Sequence, residues 1–180
     1  TTIQAYGPGM WQELTHCPQK RVENGYVEAG DRFYIIGGFN ASSSTAEKAV
    51  LEYDPITDVW LQKALAPIRF HHLQAVELDG LIYVSCAWIT PNPLNESNDS
   101  VYIYNPLTDV WTNSIPIPSS RKRGAGATVV YNGKIYSVGG NEGGHGIQGN
   151  VKPYFDVYDP AKGTFDSLPD MPSARDHVYG

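Results

Sequence analysis

Val50-Leu51-Glu52-Tyr53-Asp54-Pro55-Ile56-Thr57-Asp58-Val59-Trp60 returns as Val101-Tyr102-Ile103-Tyr104-Asn105-Pro106-Leu107-Thr108-Asp109-Val110-Trp111. It returns again, more loosely, as Phe155-Asp156-Val157-Tyr158-Asp159-Pro160-Ala161-Lys162-Gly163-Thr164-Phe165. The last residues of these stretches lie 51 and then 54 positions apart, and Trp11 precedes Trp60 by 49. A second marker keeps the same period: Phe33-Tyr34-Ile35-Ile36-Gly37-Gly38, Ile82-Tyr83-Val84-Ser85-Cys86 and Ile135-Tyr136-Ser137-Val138-Gly139-Gly140. Two markers on one period define a repeated supersecondary unit, which buries its apolar faces only against its neighbours.

Each repeat reads as four short strands, a to d. Strands a and b join at Gly30-Asp31, Asp79-Gly80 and Asn132-Gly133, residues suited to the positive φ of a primed hairpin turn. Strands c and d join through Asp54-Pro55, Asn105-Pro106 and Asp159-Pro160, where proline presets φ and the acidic or amide side chain bonds a nearby backbone N–H. Gly-Gly at the end of strand b admits close approach by a neighbouring backbone or ring. Trp60, Trp111 and Phe165 supply large apolar surface between units.

A strand with this apolar-Tyr-apolar pattern, running into Gly37-Gly38 or Gly139-Gly140, resembles that of the kelch repeat. So does a Tyr53, Tyr104 or Tyr158 turn before an aromatic residue. The resemblance spans Trp11 to Gly180, with Ser85-Cys86 as the departure in the second repeat. It implies an all-β, kelch-type β-propeller with three complete four-stranded blades and a partial blade at each end. Such an open arc is about half of a six- or seven-bladed ring. The expected divisions are a lone outer strand in 1–16, blades at 17–64, 65–115 and 116–169, and the start of another blade in 170–180. Arc faces built for burial favour association. The chain is therefore expected to be an N-terminal piece of a longer propeller, or else to meet neighbouring copies.

Composition agrees with strands and turns: 12 Tyr, 18 Gly and 13 Pro in 180 residues. The net charge of −6 without a basic run argues against nucleic acid as a partner on electrostatic grounds. No stretch has the length of a membrane span, and the first residues lack a signal-peptide pattern. Cys17 and Cys86 read as small buried hydrophobes in preference to a disulfide or a metal pair.

Alternation of strand direction sends the b–c and d–a connections to one face of the ring. The b–c loops (Phe39 to Ala49, Ile89 to Asp99, Asn141 to Lys152) are long and differ between repeats, which is where binding usually resides. Each d–a connection adds arginine: Arg21, Arg69, Arg121 with Arg123, and Arg175. His71, His72 and His177 follow closely. These side chains are expected around the channel mouth, where guanidinium groups attract carboxylates, sulfates or phosphates. Alternatively, the arginines bond backbone carbonyls and stabilise the ring. Three sequons, at Asn40, Asn95 and Asn98, mark b–c loops as candidate glycosylation sites and point to a secreted protein.

The expected function is an extracellular binding module for a protein or a carbohydrate, with no cofactor. The resemblance leaves two alternatives. One is a segment of a secreted enzyme, a copper-radical oxidase or a channel-mouth enzyme acting on sialic acid. The other is an intracellular adaptor that presents substrates to a ubiquitin ligase. Fold by itself warrants no chemistry.

Overall fold

Every connection inside a repeat reverses the chain, so the strands pair antiparallel in order. The computed structural model describes residues 11–42, 45–89, 96–144 and 149–180. A short ribbon joins β1 (Arg21–Val22) to β4 (Phe39–Asn40), which flank and interrupt the first sheet of β2 (Gly25–Ala29), β3 (Arg32–Ile36), β5 (Val50–Asp54) and β6 (Val59–Gln62). The second sheet contains β7 (Ala75–Leu78), β8 (Leu81–Val84), β9 (Ser100–Asn105) and β10 (Val110–Pro116). The third contains β11 (Ala127–Tyr131), β12 (Lys134–Val138), β13 (Phe155–Asp159) and β14 (Thr164–Leu168). The three sheets are propeller blades, and their first strands β2, β7 and β11 are innermost, β7 touching both β2 and β11.

The turns follow from their residues. Asp79 and Gly80 have φ of 53° and 78°, and Asn132 and Gly133 have 48° and 69°, so each closes a two-residue primed hairpin. At the c–d turns the Asp54 and Asn105 side-chain oxygens accept from the N–H of Ile56 (2.8 Å) and Leu107 (2.9 Å). Apolar residues from adjacent blades meet between the sheets. Tyr34, Ile36, Phe70, Ile82 and Tyr104 form one core, and Tyr83, Val101, Ile117, Ile135 and Tyr158 form the next. Trp111 packs on the first and Phe165 on the second.

The repeated tyrosine and tryptophan also build a clasp. Tyr104 Oη donates to Asp109 Oδ1 (2.6 Å), which also accepts from Ala64 N–H, while Trp111 Nε1 donates to Ala64 O. Tyr53, Asp58, Thr15 and Trp60 repeat the arrangement. The third repeat has Gly163 and Phe165 in these positions and so loses it. The Thr15 clasp puts Trp11–Leu14 in the register of a fourth strand. Among the described residues no strand pairs with that segment, and Trp11 is 99% exposed.

The Tyr104 hydrogen bond is the main reason that the Asp109 carboxyl lies below its usual pKa. A depressed carboxylate contributes stability above the unfolded value of about 3.9, and that stability is lost as pH falls through the folded value. Tyr104→Phe is therefore expected to narrow the difference in urea midpoint between neutral pH and about pH 2.5. An unchanged difference would assign the acid sensitivity to other groups.

The strand pairing shifts one alignment. Tyr34, Tyr83 and Tyr136 hold equivalent registers, so Cys86-Ala87, not Ser85-Cys86, stands where the other repeats have Gly-Gly. In blade one, Gly37 has φ +62° and a Cβ there would lie 2.4 Å from Phe70 O. Blade two takes another path: Ala87 N–H donates to Asn98 Oδ1 (2.9 Å), and the Cys86 thiol to Arg123 O (3.3 Å). Burial pushes that thiol's pKa up. Cys17, half-buried, and Cys86 are both free thiols.

Candidate binding face

Three backbone hydrogen bonds run from blade to blade around the inner rim. His72 N–H donates to Glu23 O (2.8 Å), Ala125 N–H to His72 O (2.9 Å) and His177 N–H to Ala125 O (2.7 Å). Glu23, His72, Ala125 and His177 all adopt left-handed φ, between 50° and 56°. They therefore occupy one repeat position. Counting back two residues aligns Arg21, Phe70, Arg123 and Arg175, while Arg69 and Arg121 fall one and two places before that position.

The arginines divide by partner. Arg123 is buried and donates to Asp156 Oδ2 (2.6 Å), Ser137 O (3.0 Å) and Arg121 O (2.7 Å), and also to Gly139 O. Arg121 donates to Asp156 Oδ1 (2.8 Å) and Asp170 Oδ1 (3.3 Å) while lying over the Tyr154 ring. These two hold the fully buried Asp156 inside blade three. Arg175 is exposed, and its carbonyl accepts from Gly140 N–H (2.8 Å). Arg69 is exposed in a cleft on the loop face. Arg21 has only 4% of its side chain exposed, and it meets Gln19 and Glu47.

The histidines do gather. His71 and His72 share a hydrogen bond between their Nδ1 atoms (2.8 Å), and His72 lies 5.2 Å from the His177 ring. Phe39 packs on His71 (4.4 Å between centroids) and Trp88 on His72 (4.6 Å). Trp88 is fully buried, with Nε1 donating to Asn141 O (3.0 Å), and Gly124 leaves room for its ring. Glu23 closes the group, its carboxylate 3.7 Å from His72 Nε2. Phe39, Trp88 and Asn141 each follow the Gly-Gly position directly, a recurrence visible in the sequence but hidden by the shifted alignment of repeat two. Among the described residues no three His, Cys, Asp or Glu side chains converge as metal ligands.

Two clefts open beside the rim, both between b–c loops and d–a links. One, of about 550 Å³, is lined by Arg21, Lys48 and Arg69 with Glu47. The other, of about 650 Å³, is lined by Glu96, Asp99 and Glu142 with Lys122. The cleft beside blade one is thus basic and the cleft between blades two and three acidic. Of the sequons, Asn40 is half-buried on β4 and Asn95 lies outside the described residues. Asn98 is sealed, its Nδ2 donating to Ser100 O (2.8 Å), so a glycan on that nitrogen would break this packing.

A family profile described as Kelch motif matches residues 20–64 and 122–172. The chain is 29% identical to Kelch-like protein terF of Aspergillus terreus over 98% of this chain and 41% of that protein. It is 33% identical to Kelch-like protein 24 of Rattus norvegicus over 72% of this chain and 19% of that one. The chain thus spans less than half the length of these relatives. In a solved structure, that of YjhT, 93% of this chain superposes on 57% of the other with a TM-score of 0.76 and 16% identity.

Proposed function

The chain belongs to the kelch-repeat family, and from that premise we propose that it is an interaction module holding a protein partner on its long-loop face. The observation that carries this reading is the reversal of charge across that face, basic at Arg21, Lys48 and Arg69 and acidic at Glu96, Asp99 and Glu142. Complementary charge fixes the register of a large partner and speeds encounter. Rim residues His72 and His177 lie between, on a backbone held by the inter-blade hydrogen bonds. A protein is favoured over a carbohydrate by this reversal of charge, and the enclosed Trp88 ring offers a sugar no open face to stack on. We also place the protein outside the cell, on the strength of the Asn40 and Asn95 sequons.

Partner capture by the full-length protein tests this. His177→Ala with Arg69→Ala is expected to weaken binding at least about tenfold, while Leu107→Ser, on the opposite face, leaves it unchanged. Loss through Leu107→Ser alone would move the site to the other face, and glycan-array binding sensitive to His177→Ala would replace the protein by a carbohydrate. Enzymatic deglycosylation of the native protein should lower its mass; an unchanged mass would favour the intracellular adaptor.

A further inference from the structure

The rings of His71 and His72 meet through their Nδ1 atoms at 2.8 Å, and both residues are buried. Such a bond holds one proton between two nitrogens, so one ring donates and the other accepts. With both rings neutral it forms in either direction. It also survives one further proton, because an imidazolium donates to a neutral ring. A second added proton sets N–H against N–H across the same gap and opens the bond. The pair therefore titrates as a unit that takes up one proton.

The surroundings decide which ring keeps that proton. His72 Nε2 faces the Glu23 carboxylate at 3.7 Å, and the Trp88 ring lies 4.6 Å from the His72 ring. A cation on His72 thus meets a carboxylate, an aromatic ring and the accepting nitrogen of His71, which together offset the cost of burying it. Phe39 covers the His71 ring. The other titratable groups facing the pair are His177, its ring 5.2 Å from His72, and Tyr179, which lines the same small cavity; Asp176 stands behind His177, 3.4 Å from its Nδ1. Glu23 lies on the link into β2 of blade one and His72 on the link into β7 of blade two, already joined by the His72 N–H to Glu23 O bond (2.8 Å). We propose that His71, His72 and Glu23 form a proton-operated latch, in which one proton on His72 draws Glu23 across the junction, tightens blade one on blade two and adds one positive charge at the channel mouth. A histidine that gains a carboxylate on folding contributes stability that is complete below the unfolded value of about 6.5 and is lost as pH rises through the folded one. The latch operates whatever partner the long-loop face holds.

Side-chain NMR of the histidines in the full-length protein, between pH 8 and pH 5, reads the proton. Amide hydrogen exchange at His72, corrected for the intrinsic rate, reads the junction. The pair is expected to take up one proton, residing on His72, and the His72 amide to be about threefold to fivefold better protected at pH 5.5 than at pH 8. Glu23→Gln removes the charge from a side chain that is 40% exposed and keeps the backbone bond, and it should abolish that gain. Two protons on the pair, a pair still neutral at pH 5, or an equal gain in wild type and Glu23→Gln would each overturn the proposal.

Discussion

Asp156→Leu is expected to destabilise the protein by about 3–5 kcal/mol, because it strands two guanidinium groups that its carboxylate neutralises. Asp156 is wholly buried, with Arg123 at 2.6 Å and Arg121 at 2.8 Å on its two oxygens. Removing one member of a buried ionic group leaves the others uncompensated, whereas replacing the group by apolar residues of similar volume is often close to neutral. Asp156→Leu combined with Arg123→Met should therefore recover most of the loss. Urea unfolding of the two single variants and the double variant measures the coupling directly. A cost below about 1 kcal/mol for Asp156→Leu would show that the group contributes little to the fold.

Gly37→Ala carries the next largest expectation, about 3 kcal/mol. The left-handed φ of +62° costs a side chain about 1–2 kcal/mol, and a Cβ placed 2.4 Å from Phe70 O forces a shift costing about as much again. The same contact threatens the Gly38 N–H to Phe70 O bond (2.7 Å) that fastens blade one to the lead-in of blade two. Gly30→Ala separates the two contributions, since Gly30 has φ +59° but open space around its Cβ position. Thermal unfolding should place Gly37→Ala about 10 °C below wild type and Gly30→Ala only a few degrees below. Equal losses would leave strain as the whole explanation.

Blades were legible in the sequence because their determinants are local. Asn132-Gly133 and Asp159-Pro160 specify turns from the residues within them, and one period carried them to the whole arc. The equivalence of Ser85-Cys86 with Gly-Gly failed because composition, not register, guided it. Counting three residues on from Tyr83, as from Tyr34 and Tyr136, places Cys86-Ala87 there, and the strand registers agree. The arginines were legible as a recurrence, and the carbonyl-bonding alternative describes Arg123, but their carboxylate partners were not legible. Arg123 pairs with Asp156, 33 positions away, whereas blade one has Leu51 there and Arg21 meets Glu47 at 3.7 Å, and no local spacing announces that difference. Trp88 was overlooked for a related reason. It lies outside the period of Trp60 and Trp111, and its importance comes from Gly124 on the next blade making room for it.

The rim hydrogen bonds have a consequence for how such a ring can change. They join Glu23, His72, Ala125 and His177 entirely through main-chain atoms, so an acid, an alanine and two histidines perform the same fastening. Assembly and ligand preference are thus inherited through different atoms of the same residues. A lineage can exchange what the channel displays, one blade at a time, without unfastening the collar that displays it.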